Sequence, residues 1–200
     1  LLFLLAASKQ FLLSNDIADI GLFEQFTWLI ANGKINTISS LAGRAPLEDH
    51  FSLLLIPIST IYKIFPSTYT LLALQSAALG LLLGISCFIA YQKNAGTKRV
   101  IAIAIAIILS PSIFLVNLAN FHPEVLTAPI MLIAILEANK KRKVPYYLSL
   151  IITLSAKKAQ VLFGAGLSIY SLANGKKKRA LNTFIISLLW WLVAAKASEA

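Results

Sequence analysis

The sequence has little charge, and most of that charge is positive. Charged residues make up 13% of the 200 positions, with 18 Lys and Arg against 8 Asp and Glu, whereas a soluble domain carries about 25% charged residues. Hydrophobic residues make up 58% of the chain, and its mean hydropathy is +0.79. These proportions exclude an ordinary soluble globular domain and are typical of an integral membrane protein.

Cysteine is almost absent as well. Cys87 is the single cysteine of the sequence and lies inside an apolar run, which excludes a disulfide framework or a thiolate metal site within the chain. The sequence also lacks a G-x-G-x-x-G pattern, a phosphate-binding loop and an H-E-x-x-H pattern. Chemistry with a soluble nucleotide cofactor therefore has no support.

Long apolar runs are present instead. Residues 69 to 92 and 100 to 118 have the length of a bilayer crossing, which takes about 20 residues. Shorter runs lie at 125 to 136, 144 to 156, 159 to 175 and 180 to 195. We expect residues 1 to 200 to form one transmembrane domain. The chain opens on LLFLLAA without Met, so we also expect a fragment with a truncated first helix and a missing C-terminal remainder.

The positive charges are concentrated in three short loops. Eleven of the 18 Lys and Arg lie at 93 to 99, 140 to 143 and 176 to 179. Each loop separates two apolar runs, which is the pattern of cytoplasmic loops. Most acidic residues and both histidines then fall on the outer side. Because no basic domain exists outside these loops, we expect membrane lipids as partners and no nucleic acid.

The sides assigned to the loops predict the order of the membrane segments. Residues 14 to 65 are expected to form a large outer loop. Its part 51 to 65 is about 15 residues long and contains Pro57 and Lys63, so we expect a helix lying in the interface and not a crossing. The chain then crosses the membrane and returns. The stretch from 144 to 175 is too short for two full crossings, so it predicts a hairpin of two short helices whose tip lies at or below the outer interface.

Three carboxylates lie in the apolar segment SNDIADIGLFEQFTWLIANGK, residues 14 to 34. On a helix this segment has no polar stripe, so we expect it to pack against the bundle or to dip into the lipid headgroups. Burial disfavours a charged carboxylate, so Asp16, Asp19 and Glu24 should be paired or used in function. Asp16 can instead cap the helix that follows, whereas Asp19 lies within that helix.

Several motifs follow one another between residues 15 and 170. They are Asp19, Gly21, Phe23, Gln25, Trp28 and Gly33 in that order, DHF at 49 to 51, IYKIFPSTYTLLALQS at 61 to 76, and NFHPE at 120 to 124. Together they resemble the bacterial multi-pass membrane family known as domain of unknown function 2079. That family is in turn similar to the C-type glycosyltransferases, such as protein O-mannosyltransferases and lipid A aminoarabinose transferases.

The resemblance implies an all-α, polytopic transmembrane helix bundle of the C-type glycosyltransferase kind, in the bacterial cytoplasmic membrane with its active face outward. It also implies transfer of a sugar from a polyprenyl-phosphate donor to an acceptor. That reaction needs a carboxylate to take the acceptor's proton and cations to stabilise the departing phosphate. Asp19 is the candidate catalytic base. The candidate substrate-binding residues are Asp16, Glu24, Gln25, Arg44, His50, His122, Glu124 and Lys157.

The hairpin tip departs from the family pattern. The family has Lys followed by two acidic residues, but this chain reads AKKAQ, in which Lys157 matches while Lys158 and Ala159 replace the acids. A metal role at the tip is therefore in doubt. No cofactor is assigned, and a divalent metal stays open. Because neighbours on a helix project about 100° apart, we expect Lys157 to turn inward and Lys158 to snorkel, with snorkelling of both as the alternative.

Other functions remain open at this stage. A transporter or lipid-handling protein would also place ionisable residues among short, broken helices, although no internal repeat is found. A non-catalytic membrane subunit would account for the missing acidic pair. Two candidate residues also have structural interpretations, since His50 can be an interfacial side chain and His122 can shape the turn before Pro123.

Overall fold

The computed structural model describes residues 1–12 and 17–198, and every regular element within these ranges is helical. The all-α class predicted from the sequence is confirmed. Eleven α-helices occur in this part of the chain: α1 Leu2–Phe11, α2 Ile17–Ala31, α3 Pro46–His50, α4 Leu55–Ile64, α5 Thr68–Gln92, α6 Thr97–Ile108, α7 Pro111–Leu118, α8 Ala128–Ala138, α9 Val144–Leu154, α10 Val161–Ala173 and α11 Lys177–Ala197. Two 3-10 helices, Pro123–Thr127 and Lys158–Gln160, precede α8 and α10.

Two of the described helices are long and apolar enough to cross a membrane. They are α5 with 25 residues and α11 with 21, or about 37 and 31 Å at 1.5 Å per residue. Helices α6 and α7 pass the same test only as a pair, bent by 42° where Pro111 begins the second helix. Proline removes a backbone donor and disfavours a helical residue before it, which explains the break. The predicted multi-pass membrane protein is confirmed at this level.

Helices α8, α9 and α10 are too short to cross a bilayer one at a time. They have 11, 11 and 13 residues, about 17 to 20 Å against a hydrocarbon core of about 30 Å. The predicted pair of short helices in residues 144 to 175 is therefore present as α9 and α10. Tyr146, Leu150 and Leu154 of α9 are fully buried and form the centre of this half of the bundle, against α8 and α10.

The outer segment predicted from the sequence is a small helical layer of its own. Helix α2 buries Ile20, Phe23 and Phe26 against the side chains that α4 turns inward, including Leu55 and Tyr62. This confirms that the segment after residue 16 packs on the bundle. Helix α4 ends at Ile64, and α5 begins after Ser67, whose hydroxyl caps the backbone N–H of Tyr69. The short α4 is thus separate from the crossing that follows it, as predicted.

Most of the basic residues around α9 and α10 lie at one end of these two helices. The basic loops at 140 to 143 and 176 to 179 line one cleft, next to the first residue of α9 and the last of α10. Arg179 ties these loops together because its guanidinium donates to the carbonyl oxygens of Glu137 and Ala138. The hairpin tip, residues 155 to 160, lies at the other end of the two helices. If the positive loops are cytoplasmic, the tip points outward.

Candidate functional site

An ion pair connects the hairpin tip to the turn before α8. The Nζ of Lys157 lies 2.9 Å from Oε1 of Glu124, and only about a quarter of each side chain is exposed, 25% and 24%. Glu124 lies in the 3-10 helix that Pro123 begins, and Thr127 donates its hydroxyl to the Glu124 carbonyl to close that turn. The low exposure makes this pair costly to break, because each partner would be left as an uncompensated charge.

The tip is also bonded to the outer layer. The backbone N–H of Leu54, just before α4, donates to the carbonyl of Ser155 at 3.0 Å. Phe51 stacks edge-on against Trp190 of α11, with ring centroids 6.1 Å apart. Phe51 adopts a left-handed backbone conformation (φ 48°) at the end of α3, which turns the chain sharply there. These contacts place the last residues of α3 beside the tip.

An open cleft of about 420 Å³ lies between α3, the tip and α11. Its polar lining comes from Asp49, His50, Lys157 and Lys158. The remaining lining is mainly apolar: Ala159, Val161, Leu162 and Trp191. We call this the tip cleft. It combines two cations, an imidazole and one carboxylate, a set with a positive excess that can bind an anion, with an apolar wall, which suits a lipid or the face of a sugar ring.

Both histidines pack against one ring of α2. The Phe23 centroid lies 6.1 Å from that of His50 and 5.9 Å from that of His122. The His50 Nε2 lies 3.3 Å from Oδ2 of Asp49, and the His122 Nε2 lies 3.1 Å from the carbonyl oxygen of Ala119. The two predicted histidines are thus brought together by the fold.

A buried glutamine fixes the position of His122, and sequence reasoning missed it. Gln75 is fully buried in α5; its amide oxygen accepts from the His122 N–H at 2.8 Å, and its NH₂ donates to the Asn120 carbonyl at 2.8 Å. Asn120 has φ 74°, a conformation that asparagine tolerates better than most residues. The available signal was a glutamine within an uncharged run of crossing length, where a polar side chain needs a partner.

Several buried polar atoms have no hydrogen-bond partner within the described residues. They include Oε2 of Glu124, whose other oxygen pairs with Lys157, and Nδ1 of His122. Buried polar atoms are usually paired, so such exceptions are often found at functional sites. The Glu124 carboxylate keeps this second oxygen available for a hydrogen bond while its first oxygen holds Lys157.

The position of the cleft along α11 gives its depth. Trp191 lines the cleft fourteen residues after α11 begins at Lys177, or about 21 Å along the helix axis. A hydrocarbon core of about 30 Å that begins at the basic end would therefore contain this level. Charged groups at such a depth are rare and mark substrate or ion pathways. The tip cleft therefore has the properties of a functional site.

Glu24 has a structural role in the outer layer. Its two carboxylate oxygens accept from the hydroxyls of Tyr62 at 3.0 Å and Thr68 at 2.9 Å, so it joins α2 to α4 and α5. Burial, together with the charge and hydrogen bond of Glu24, raises the pKa of Tyr62 to about 12. The expectation that a carboxylate in this segment would be paired therefore holds for Glu24.

Gln25 and Arg44 belong to the loop after α2. The Gln25 amide donates to the Ser40 hydroxyl at 2.8 Å, and its oxygen accepts from the Ser39 hydroxyl at 2.5 Å. Arg44 is exposed, and its carbonyl accepts from the Ser39 N–H. Neither side chain lines the tip cleft.

Asp19 is exposed, which differs from the burial expected from the sequence. It lies in the first turn of α2, one helical turn before Phe23, and makes no polar contact within the described residues. The reason is that α2 turns Ile20 and Phe23 inward and leaves Asp19 at the rim of the layer. The argument that a buried carboxylate must be paired or used in function therefore does not apply to Asp19. Asp16 lies outside the described residues.

Lys158 is also placed differently from the expectation. The argument that two neighbours cannot serve one site assumed an α-helix, but Lys157 has an extended backbone (φ −166°, ψ 147°) before the 3-10 helix. Both lysines consequently line the tip cleft. Within the part of the chain that the structure describes, no three His, Cys, Asp or Glu side chains are close enough to hold a metal ion.

Comparison with known proteins agrees with the membrane architecture. Residues 10–197 match a family described as predicted membrane protein, DUF2079. The chain belongs to this family. No curated protein and no solved structure shows a significant match to the chain. Membership extends over nearly the whole sequence, so the tip cleft and the outer layer both lie inside the family's domain.

Proposed function

We propose that the protein is a membrane glycosyltransferase that moves a sugar from a polyprenyl-phosphate donor to an acceptor hydroxyl at the outer face of the bacterial cytoplasmic membrane. The observation that supports this most is the tip cleft, where Lys157, Lys158 and His50 line an opening together with Asp49. Trp191 lines the same opening about 21 Å along α11 from the basic end, a distance that a soluble donor would not need. A donor phosphate attached to a membrane lipid enters from the bilayer, and the apolar wall that includes Trp191 suits its prenyl chain.

In this proposal the cations act on the leaving group. The bond between the anomeric carbon and the donor phosphate oxygen breaks with its electron pair going to the phosphate. Lys157 and Lys158 stabilise the charge that develops on that oxygen, which is the usual role of preorganised cations in phosphate departure. Glu124 holds Lys157 in place through the 2.9 Å ion pair.

The proton goes to a carboxylate. The acceptor oxygen forms its bond to the anomeric carbon while its proton passes to Asp19, which acts as general base. Asp19 suits this role because it is exposed and free of polar partners in the described chain, one turn from the Phe23 ring that both histidines contact. Glu24 is already held by Tyr62 and Thr68.

A lipid-handling or transport function is the second candidate. The short helices α8, α9 and α10 around a charged pair resemble the discontinuous helices of transporters. This function predicts movement of an intact lipid, and no bond is broken. A non-catalytic subunit, the third candidate, predicts neither movement nor bond cleavage by this chain itself.

The test compares a deletion strain with its parent by mass spectrometry of the surface glycans and of the lipid extract. A transferase predicts that one sugar disappears from the surface glycans and that the corresponding polyprenyl-phosphate sugar accumulates in the lipid extract. Both changes should be reversed by the intact gene. Unchanged glycans with a redistributed lipid would instead favour transport, and no change in either fraction would contradict the proposal.

A further inference from the structure

A second polar cleft lies at the opposite end of α9 and α10 from the tip. Its volume is about 450 Å³, and the loops at 140 to 143 and 176 to 179 supply most of its lining. The lining residues are Lys140, Lys141, Lys143, Tyr147, Gly175, Lys176, Lys177, Lys178, Arg179 and Asn182. We call it the basic cleft. The two loops are more than 30 residues apart in sequence, so the fold has brought two separate groups of cations to one opening.

Few of these cations are neutralised by the protein. Lys140 pairs with Glu137 at 2.7 Å, and among the described residues Glu137 is the one carboxylate that pairs with a cation of this cleft. Arg179 is used internally, since it donates to two backbone carbonyls and lies over the Tyr146 ring, 4.8 Å from its centroid. Five lysines of the lining then have no ion-pair partner among the described residues. Their mutual repulsion would be relieved by a bound anion.

The walls of the basic cleft are rigid and present further donors. Arg179 fixes the loop before α11 to the end of α8, and Asn182 donates to the Tyr147 hydroxyl at 3.3 Å across the base of the cleft. Helices α9 and α11 both begin here, after Lys143 and Lys176, and neither has a side-chain cap. The partial positive charge of a helix start adds to that of the lysines.

We propose that the basic cleft is a binding site for an anionic phosphate group. Two helices of the bundle start at this level, so the cleft lies where the polar headgroups of a bilayer begin. Basic pockets between membrane helices on the cytoplasmic side are suited to acidic lipid headgroups, and a free phosphate offers the same chemistry. The site would hold the starts of α9 and α11 together. This inference does not depend on the transferase proposal, because it concerns other residues at the other end of the bundle.

The chain contains a matched control for this site. The third basic loop, 93 to 99, also carries cations but contributes nothing to the lining of the cleft. A double variant Lys141→Gln/Lys177→Gln removes two charges from the cleft, and Lys93→Gln/Lys98→Gln removes two charges elsewhere. All four lysines are exposed, so both variants should fold. If anions bound only to a diffuse positive surface, the two double variants would weaken anion binding equally.

The experiment measures the unfolding midpoint of the full chain in an uncharged detergent at fixed ionic strength. Short-chain phosphatidylglycerol and inorganic phosphate are titrated separately, with short-chain phosphatidylcholine as the zwitterionic control. We expect phosphatidylglycerol to raise the midpoint, and we expect the apparent Kd to weaken about tenfold or more in the cleft variant, since two charge-assisted contacts are lost. The control variant should stay near the parent.

The titrations also identify the source of the phosphate. Stabilisation by phosphatidylglycerol but not by inorganic phosphate would identify the ligand as a lipid headgroup, and stabilisation by both would identify a site for phosphate itself. Native mass spectrometry should then show a retained phosphatidylglycerol in the parent and the control but not in the cleft variant. Equal losses in the two variants, or no stabilisation by either anion, would overturn the proposal.

Discussion

Lys157 and Glu124 form an ion pair across 33 residues of sequence, with Nζ and Oε1 2.9 Å apart. The lysine comes from the hairpin tip and the glutamate from the turn before α8, so the pair joins the tip to the start of α8. Each side chain is only about a quarter exposed, so an unpaired charge there is expensive. The pair therefore links stability and function at the tip cleft, and the two contributions can be separated by mutation.

The single variants of this ion pair should together lose more free energy of unfolding than the double variant loses. Glu124→Gln leaves Lys157 as an unpaired charge, and Lys157→Gln leaves the carboxylate unpaired, so each single variant should lower the free energy of unfolding. The double variant should be less destabilised than the sum, with a coupling between about 0.5 and 3 kcal/mol. Unfolding in mixed micelles measures this. Additive losses would show that the two groups do not interact in the membrane protein.

The two carboxylates of α2 should separate activity from stability. Asp19→Asn should leave stability within about 0.5 kcal/mol of the parent, because Asp19 is exposed, but should lower transfer at least ~100-fold because an amide cannot accept the proton. Glu24→Ala should cost about 1 to 3 kcal/mol, since the Tyr62 hydroxyl loses its acceptor. A fully active Asp19→Asn protein would remove Asp19 from the mechanism.

Tyr62 should give the outer layer a dependence on alkaline pH. Its folded pKa is raised from 10.0 to about 12 by burial and by Glu24, so the folded state favours the neutral phenol. That stabilisation is complete below pH 10 and is lost as pH rises through the interval to about 12. Tyr62→Phe should remove this part of the loss. Unfolding midpoints of parent and variant between these pH values provide the test, and parallel curves would contradict it.

The orientation of the bundle can be tested by thiol labelling. In a Cys87→Ser background, Asn36→Cys and Ala159→Cys should react with an impermeant reagent from outside the cell. Thr97→Cys and Asn174→Cys should react only after permeabilisation. All four positions are exposed in the fold, and none of these changes removes a lysine. External labelling at position 174 would show that the assigned orientation is reversed. The neighbouring basic loop, 176 to 179, is one of the three loops on which that orientation rests.

The elements that length and composition determine were predictable. The crossing α5 and the final helix α11 follow from long apolar runs, and the separate α4 follows from a run of about 15 residues that is too short to cross; α4 ends at Ile64 and α5 begins after Ser67. The tip cleft was only partly predictable. Its residues were named, but the position of Lys158 depended on an extended backbone at Lys157, which local sequence does not determine.

Pairings between distant residues were not predictable from one sequence. The partner of Lys157 is Glu124, and the support of His122 is Gln75, each more than 30 residues away. Such contacts depend on how helices pack, and many packings satisfy the same hydrophobic pattern. The exposure of Asp19 has the same origin, since Asp19 shares a helix face with buried Phe23 and the sequence does not reveal how far along α2 the packed neighbours extend.

The central claim is that the tip cleft binds the phosphate of a lipid-linked sugar donor. It is tested most directly by complementing the deletion strain with Lys157→Gln, Lys158→Gln and Lys157→Arg and measuring the missing surface sugar. Lys63→Gln, an exposed lysine of α4 that does not line the cleft, is the matched control. We predict that the control restores the sugar and that both Gln variants fail to restore it at low donor supply. Lys157→Arg should restore part of it, because a planar guanidinium then replaces the compact ammonium of lysine. Full restoration by both Gln variants, at protein levels equal to the parent, would contradict the account.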